Sequence, residues 1–153
     1  MEFMQILPKY SQLKPDVYIV QNQTFALDNK IIEEFKDFAF NSTRKQARLC
    51  LHSSEDDYFN EMLIVYHKEC NELIQKRKNG FDKKIVIEGT ANYKFFDYKM
   101  RMLGAFKLKT GEIFYMSSDE SAFHQLEVIS DFFIFIEIAN GPFNPLNHEI
   151  LVS

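Results

Sequence analysis

The stretch Phe123-His124-Gln125-Leu126-Glu127-Val128-Ile129, followed after Ser130-Asp131 by Phe132-Phe133-Ile134-Phe135-Ile136-Glu137-Ile138, decides the fold class. Two short runs rich in β-branched and aromatic residues, separated by a turn signal, read as consecutive strands. The second run stops at Ala139-Asn140-Gly141-Pro142-Phe143-Asn144-Pro145, where one glycine and two prolines break any regular pattern. Glu137, flanked by Ile136 and Ile138, needs a partner if it faces inward, and Arg48 is the expected one.

The same texture extends upstream. From about Ala47 the apolar period is two, predicting strands over Arg48–His52, Glu61–His67, Lys84–Glu88, Tyr93–Asp97, Leu103–Leu108 and Glu112–Met116. Glycines 80, 89, 104, 111 and 141 fall at or beside the ends of these segments, where a reversal of the chain costs least. So many short strands with turn signals between them predict a β-sandwich or barrel.

Before Ala47 the pattern differs. Asp28 is placed to cap a helix near residues 28–40, with Ile31, Ile32, Phe35, Phe38 and Ala39 on one face and Glu33, Glu34, Lys36 and Asp37 on the other. Residues 1–25 read as an arm holding Pro8 and Pro15, with Val17-Tyr18-Ile19-Val20 able to pair as an edge strand on its own barrel or a neighbour's. The expected organisation is an arm, 1–25, and a single domain, 26–153.

Composition narrows the function. At 153 residues the chain suits one core, and a domain of this size buries roughly 68–70% of its unfolded surface. Sixteen Phe and seven Tyr, with no Trp, favour a sheet-built interior. A net charge of −4 and only short basic runs argue against nucleic acid as partner, because phosphate binding needs clustered Lys and Arg. The longest apolar run, Phe132–Ile136, is far below the ~20 residues of a membrane span, and the N-terminus lacks the pattern of a secretion signal, so the expected location is the cytoplasm. Cys50 and Cys70 have neither metal nor redox spacing and read as small core residues; His67 and His148 read as surface residues.

Taken in order, Ala47-Arg48-Leu49-Cys50-Leu51-His52, Ile87-Glu88-Gly89, Lys94-Phe95-Phe96-Asp97, Phe123-His124 and Glu137 to Pro145 resemble the WbuC-type small cupins. These are jelly-roll proteins associated with O-antigen and other surface-polysaccharide gene clusters. The resemblance covers roughly residues 26 to 150. It implies a mainly β, double-stranded β-helix with a ligand pocket inside the barrel. It also implies a divalent-metal site built from His-x-His, a following Glu and a later His.

In this sequence that metal motif is degenerate. Only His124 matches; the His-x-His positions fall on Gln75 and Arg77, and the Glu position falls near Asp82. An amide is a weaker donor than imidazole for a borderline metal, and a guanidinium keeps its positive charge at ordinary pH. No tightly bound metal or other cofactor is therefore expected.

Arg48, His52, Gln75, Arg77, Asp82, His124 and Glu137 form the expected ligand-binding set, a partly cationic pocket suited to a carboxylate, a phosphate or a nucleotide sugar. The alternative is that Arg77 projects into solvent and the pocket is a relic. Three functions follow as expectations. One is a binder of a sugar, nucleotide sugar or other small anion. Another is a metal-independent isomerase or epimerase, with His124 as catalytic base and Tyr66, Tyr93 or Tyr115 as acid. The third is a non-catalytic homodimer assembled through the arm and the sheet edges.

Overall fold

Asp28 starts the helix as its spacing suggests: the carboxylate accepts a hydrogen bond from the Ile31 N–H at 3.0 Å and caps α1, Asn29–Asn41. Ile31, Phe35 and Ala39 are buried on one stripe, with Ile32 and Phe38 at its margins. The computed structural model describes residues 10–21, 24–117 and 122–151; the first nine residues of the predicted arm lie outside these.

Apart from α1 and a short 3-10 turn at Pro145–Asn147, the regular structure of the described residues is strand. The strands are β1 (Tyr10–Lys14), β2 (Val17–Val20), β3 (Gln46–Cys50), β4 (Phe59–His67), β5 (Gln75–Arg77), β6 (Phe81–Glu88), β7 (Thr90–Phe96), β8 (Met102–Lys109), β9 (Ile113–Ser117), β10 (Phe123–Val128), β11 (Phe132–Asn140) and β12 (His148–Ile150). One sheet has the order β1-β2-β3-β4-β11-β6-β9 and the other β12-β5-β10-β7-β8. Every neighbouring pair is antiparallel except β2 with β3. β10 and β11 do not pair with each other. The Ser130-Asp131 turn carries the chain from one sheet to the other.

Side-chain alternation divides the interior. Phe133 and Phe135 on β11, Ile64 and Tyr66 on β4, Val86 on β6, Ala91 and Tyr93 on β7, and Leu126 and Val128 on β10 meet between the sheets. Leu63, Val65 and Ile134, on the opposite faces of their strands, pack with Ala47 and Leu49 against Ile31, Phe35 and Ala39 of α1. The helix thus covers the outer face of the larger sheet.

The arm is more integrated than expected. β2 is not an edge strand: it joins β3 in parallel, and β1 forms the rim outside it. Tyr10 and Tyr18 close over Phe35 and Phe38, with Tyr18 and Phe38 stacked at 4.8 Å. β1, β5 and β12 were not anticipated because they are short and mostly polar. Gly104 lies inside β8 rather than at a turn, whereas Gly80, Gly89 and Gly111 take positive φ at reversals. Of the histidines assigned to the surface, His67 is buried against Phe40 and Phe132, and His148 is half-buried on β12. Cys50 is buried and Cys70 half-buried, both as free thiols. No helix among the described residues is long and apolar enough to cross a membrane.

Candidate functional site

One end of the sandwich interior is polar. On β11 the inward positions run Phe133, Phe135, Glu137, Ala139, and on β6 they run Val86, Lys84, Asp82, so both strands change from apolar to charged at the same level. The β6–β11 register sets Lys84 directly opposite Glu137. Around them lies a cavity of about 310 Å³ whose walls include Arg48, Asn60, Tyr66, Glu72, Gln75, Arg77, Tyr93, His124 and His148. A neighbouring hollow of about 220 Å³ shares Arg48, Tyr66, Glu72 and Gln75.

Six of the seven expected site residues line this cavity: Arg48, Gln75, Arg77, Asp82, His124 and Glu137. Gln75 and His124 are register partners across β5 and β10. His52 is the exception. β3 ends at Cys50, so the alternation that would turn His52 inward is lost. Its Nδ1 accepts from the Glu61 N–H at 3.1 Å on the surface, beside Asp57 and Tyr58.

At the centre stands a residue the sequence reading passed over. The Lys84 ammonium is buried, 2.6 Å from Asp82 Oδ2 and 3.0 Å from Glu137 Oε2, with the Tyr93 and Phe135 rings near 5.8 and 5.7 Å. Burial opposes its charge, yet the two carboxylates outweigh that cost and hold its pKa well above the ordinary lysine value. Desolvation raises the Asp82 carboxyl, whereas Glu137, equally desolvated, is held low by Lys84 and then Arg48. The ion pair to Glu137 expected of Arg48 is made by Lys84, and Arg48 acts on Glu137 only as a further nearby charge. Its Nη2 donates to the Tyr66 hydroxyl at 3.3 Å, and that hydroxyl donates to Glu72 Oε1 at 3.1 Å.

Glu72 was also missed, since it sits in a loop with no pattern. Its other oxygen accepts from the Leu126 N–H at 2.7 Å, tying the loop to β10. Arg77 faces the cavity wall while its Nε donates to the Asn79 carbonyl and its Nη2 to the Asn140 carbonyl, at 2.9 and 2.6 Å. Four basic side chains, Arg44, Arg48, Arg77 and Lys84, stand in the wall against three acidic ones, Glu72, Asp82 and Glu137.

His124 stacks on Tyr93 with centroids 5.4 Å apart. Burial, then the Lys84 charge, lowers its pKa to about 4, so the ring is neutral near pH 7. Its Nδ1 lies 3.2 Å from the Ala122 carbonyl oxygen; that oxygen only accepts, which places the proton on Nδ1 and the lone pair on Nε2. Of the three expected acid candidates, Tyr66 and Tyr93 line the cavity, while Tyr115 is exposed on β9.

These residues do not fit a divalent metal. Asp82 and Glu137 each have an oxygen engaged by Lys84, and no cluster of three or more His, Cys, Asp or Glu suited to a metal occurs among the described residues. Two unit charges ~4 Å apart at an effective dielectric of ~20 repel by about 4 kcal/mol, so a divalent ion beside the ammonium would cost about twice that.

Four buried polar side-chain atoms have no hydrogen-bond partner among the described residues: Arg48 Nε, Asn60 Oδ1, Asp82 Oδ1 and Tyr93 Oη. All four residues line the same cavity.

No protein-family model and no curated protein matches the sequence. Among solved structures, a protein with a double-stranded β-helix domain from Klebsiella pneumoniae superposes with a TM-score of 0.60 over 87% of this chain and 100% of its own, at 17% identity. An oxalate decarboxylase from Bacillus subtilis gives a TM-score of 0.50 at 18% identity over 62% of this chain. The Lactobacillus farciminis oxalate decarboxylase, in its formate complex, gives 0.50 at 14% over 62%. This chain spans about a quarter of the length of either decarboxylase, 24% and 27%. The two sheets, in this strand order, and the superposition on the Klebsiella pneumoniae protein give the chain the cupin-type double-stranded β-helix fold.

Proposed function

We propose that this protein binds a sugar, a nucleotide sugar or another small anion inside its barrel, without a tightly held metal. The carrying observation is the set of four unpartnered buried atoms around one cavity. A buried polar atom without a partner costs about 1–3 kcal/mol, and natural proteins hold few of them. Four around one hollow suit a ligand that supplies the missing bonds.

Their chemistry supports the ligand class. Arg48 Nε donates, Asn60 Oδ1 and Asp82 Oδ1 accept, Tyr93 does either, and His124 Nε2 offers a further lone pair. Hydroxyl groups meet such a mixed set, because each donates and accepts. The volume lies at the small end of the ~300–1,000 Å³ usual for ligand pockets, which suits one sugar ring, with Arg44 in the wall to meet a phosphate. The resemblance to surface-polysaccharide cupins favours the same class.

The test is a thermal-shift and calorimetric screen of free monosaccharides, sugar 1-phosphates and nucleotide sugars in metal-free buffer. Saturable stabilisation of the wild type that weakens in Tyr93→Phe supports the reading. A flat response across the panel overturns it.

A second reading, proton transfer by His124, is favoured by its neutral ring and fixed tautomer. Deuterium entering a bound keto-sugar from solvent, and not entering with His124→Gln, would support it; no exchange with a ligand that binds would exclude it.

A further inference from the structure

Three apolar side chains at the mouth of the cavity are left uncovered. Leu73, Phe143 and Ile150 line it and stand 58%, 51% and 49% exposed, and none of them packs in either core group. We propose that the ligand of this cavity is amphiphilic: a hydroxyl-rich head occupies the polar interior, and an apolar chain attached to that head lies across Leu73, Phe143 and Ile150. This deepens the reading that the cavity binds a sugar, and it rests on that reading.

Exposed apolar residues scattered singly are ordinary, whereas several gathered around a polar hollow mark a binding surface. These three come from separate segments: the loop before β5, the loop after β11, and β12 itself. Each is held in place. The Glu72 carbonyl accepts from Gln125 Nε2 at 2.6 Å and its carboxylate from the Leu126 N–H at 2.7 Å, which fixes the residue before Leu73. The Phe143 ring lies 6.3 Å from the His148 ring and 5.3 Å from the Lys14 ammonium. Ile150 is the register partner of Gln75, and the adjacent Leu151 N–H donates to the Ile74 carbonyl at 2.9 Å. The apolar rim is therefore formed before a ligand arrives, which spares the cost of ordering it on binding.

Rim and interior are continuous. Ile150, Gln75 and His124 are cross-strand partners in one row over β12, β5 and β10, so their side chains share a face of the smaller sheet. Gln75 and His124 belong to the polar wall, and Ile150 carries the row outward as a half-exposed apolar side chain. A head bound against Gln75 and His124 thus has Ile150 at its outer side. A hydroxyl there meets no partner, whereas a methylene chain removes apolar surface from water.

The experiment titrates the wild-type chain by calorimetry with methyl and hexyl glycosides of glucose, galactose, mannose and N-acetylglucosamine, each below its micelle-forming concentration, and with 1-hexanol. A fully buried methylene is worth about fourfold in affinity, so a hexyl chain on a half-open rim should bind about tenfold or more tightly than the methyl glycoside of the same sugar. In Leu73→Ser/Ile150→Ser that advantage should vanish; if the double variant does not fold, Phe143→Ser carries the same test. Equal affinity of hexyl and methyl glycosides, a flat response to every pair, hexanol binding as tightly as the hexyl glycosides, or a folded variant that keeps the full advantage overturns the proposal. So does a wild type that sediments as a dimer beside a double variant that sediments as a monomer, since a second copy then covers the rim. Binding of free sugars, sugar 1-phosphates or nucleotide sugars with no gain from the chain leaves the sugar reading standing and refutes this one; no binding in either panel refutes both.

Discussion

Replacing His124 with Gln should flatten the pH dependence of stability. The folded imidazole titrates near a pKa of about 4 and the unfolded one near 6.5, so in the window between them the unfolded chain binds a proton that the folded chain refuses. Stability contributed by the neutral ring is complete above the unfolded value and is lost as pH falls. Worked through, the loss is about 2 kcal/mol at about pH 5 and about 3 kcal/mol once pH drops below the folded value. Asp82 and Glu72, both raised by burial, work in the opposite direction because the folded state takes up their protons first. They are present in wild type and variant alike, so the difference between the two isolates His124. Urea unfolding at about pH 8 and about pH 5 should show the wild type losing about 2 kcal/mol more than His124→Gln, or about 4–8 °C in melting temperature for a domain of this size. Parallel pH profiles would mean that the ring titrates normally, and that neither burial nor Lys84 acts on it as described.

Three further outcomes follow from the packing and the cavity. Tyr93→Phe removes a buried hydroxyl without a partner and should stabilise the ligand-free protein by about 1 kcal/mol in urea unfolding while weakening ligand binding; destabilisation would show that the hydroxyl has a structural bond. Phe35→Ala, at a fully buried ring touching Tyr10, Tyr18 and Phe38, should cost about 3–5 kcal/mol by the same measurement, and a cost below about 1 kcal/mol would contradict the docking of α1. Gly89→Ala should lower the melting temperature, since φ at Gly89 is +94° and a Cβ there runs into the Phe132 carbonyl; the backbone conformation alone is worth about 1–3 kcal/mol, and an unchanged melt would refute the turn.

Much of the site was legible residue by residue but not as a charge balance. Arg48, Gln75, Arg77, Asp82, His124 and Glu137 were expected in one pocket because the family resemblance implies one, and they line one cavity. Lys84 was not, because Lys83-Lys84 at the head of an apolar strand looks like a solvated pair until the register with Glu137 is known. Glu72 lies in a loop, where no period says which way a side chain points. His52 was drawn inward by extending the alternation of β3 two residues past its end. The expected partly cationic pocket has four basic side chains facing three carboxylates, two of which the sequence reading did not pair with Lys84.

By itself the sequence determined the local elements. A capped amphipathic helix followed by period-two strands is written in the spacing of Asp28, Phe35, Phe133 and Phe135, because backbone geometry converts spacing into faces over a few residues. Which strands became neighbours, and so which charges met, was decided only by the tertiary structure. Pairing depends on sheet order and register across long stretches of chain, and no local pattern encodes that Lys84 faces Glu137 or that β10 and β11 part into different sheets.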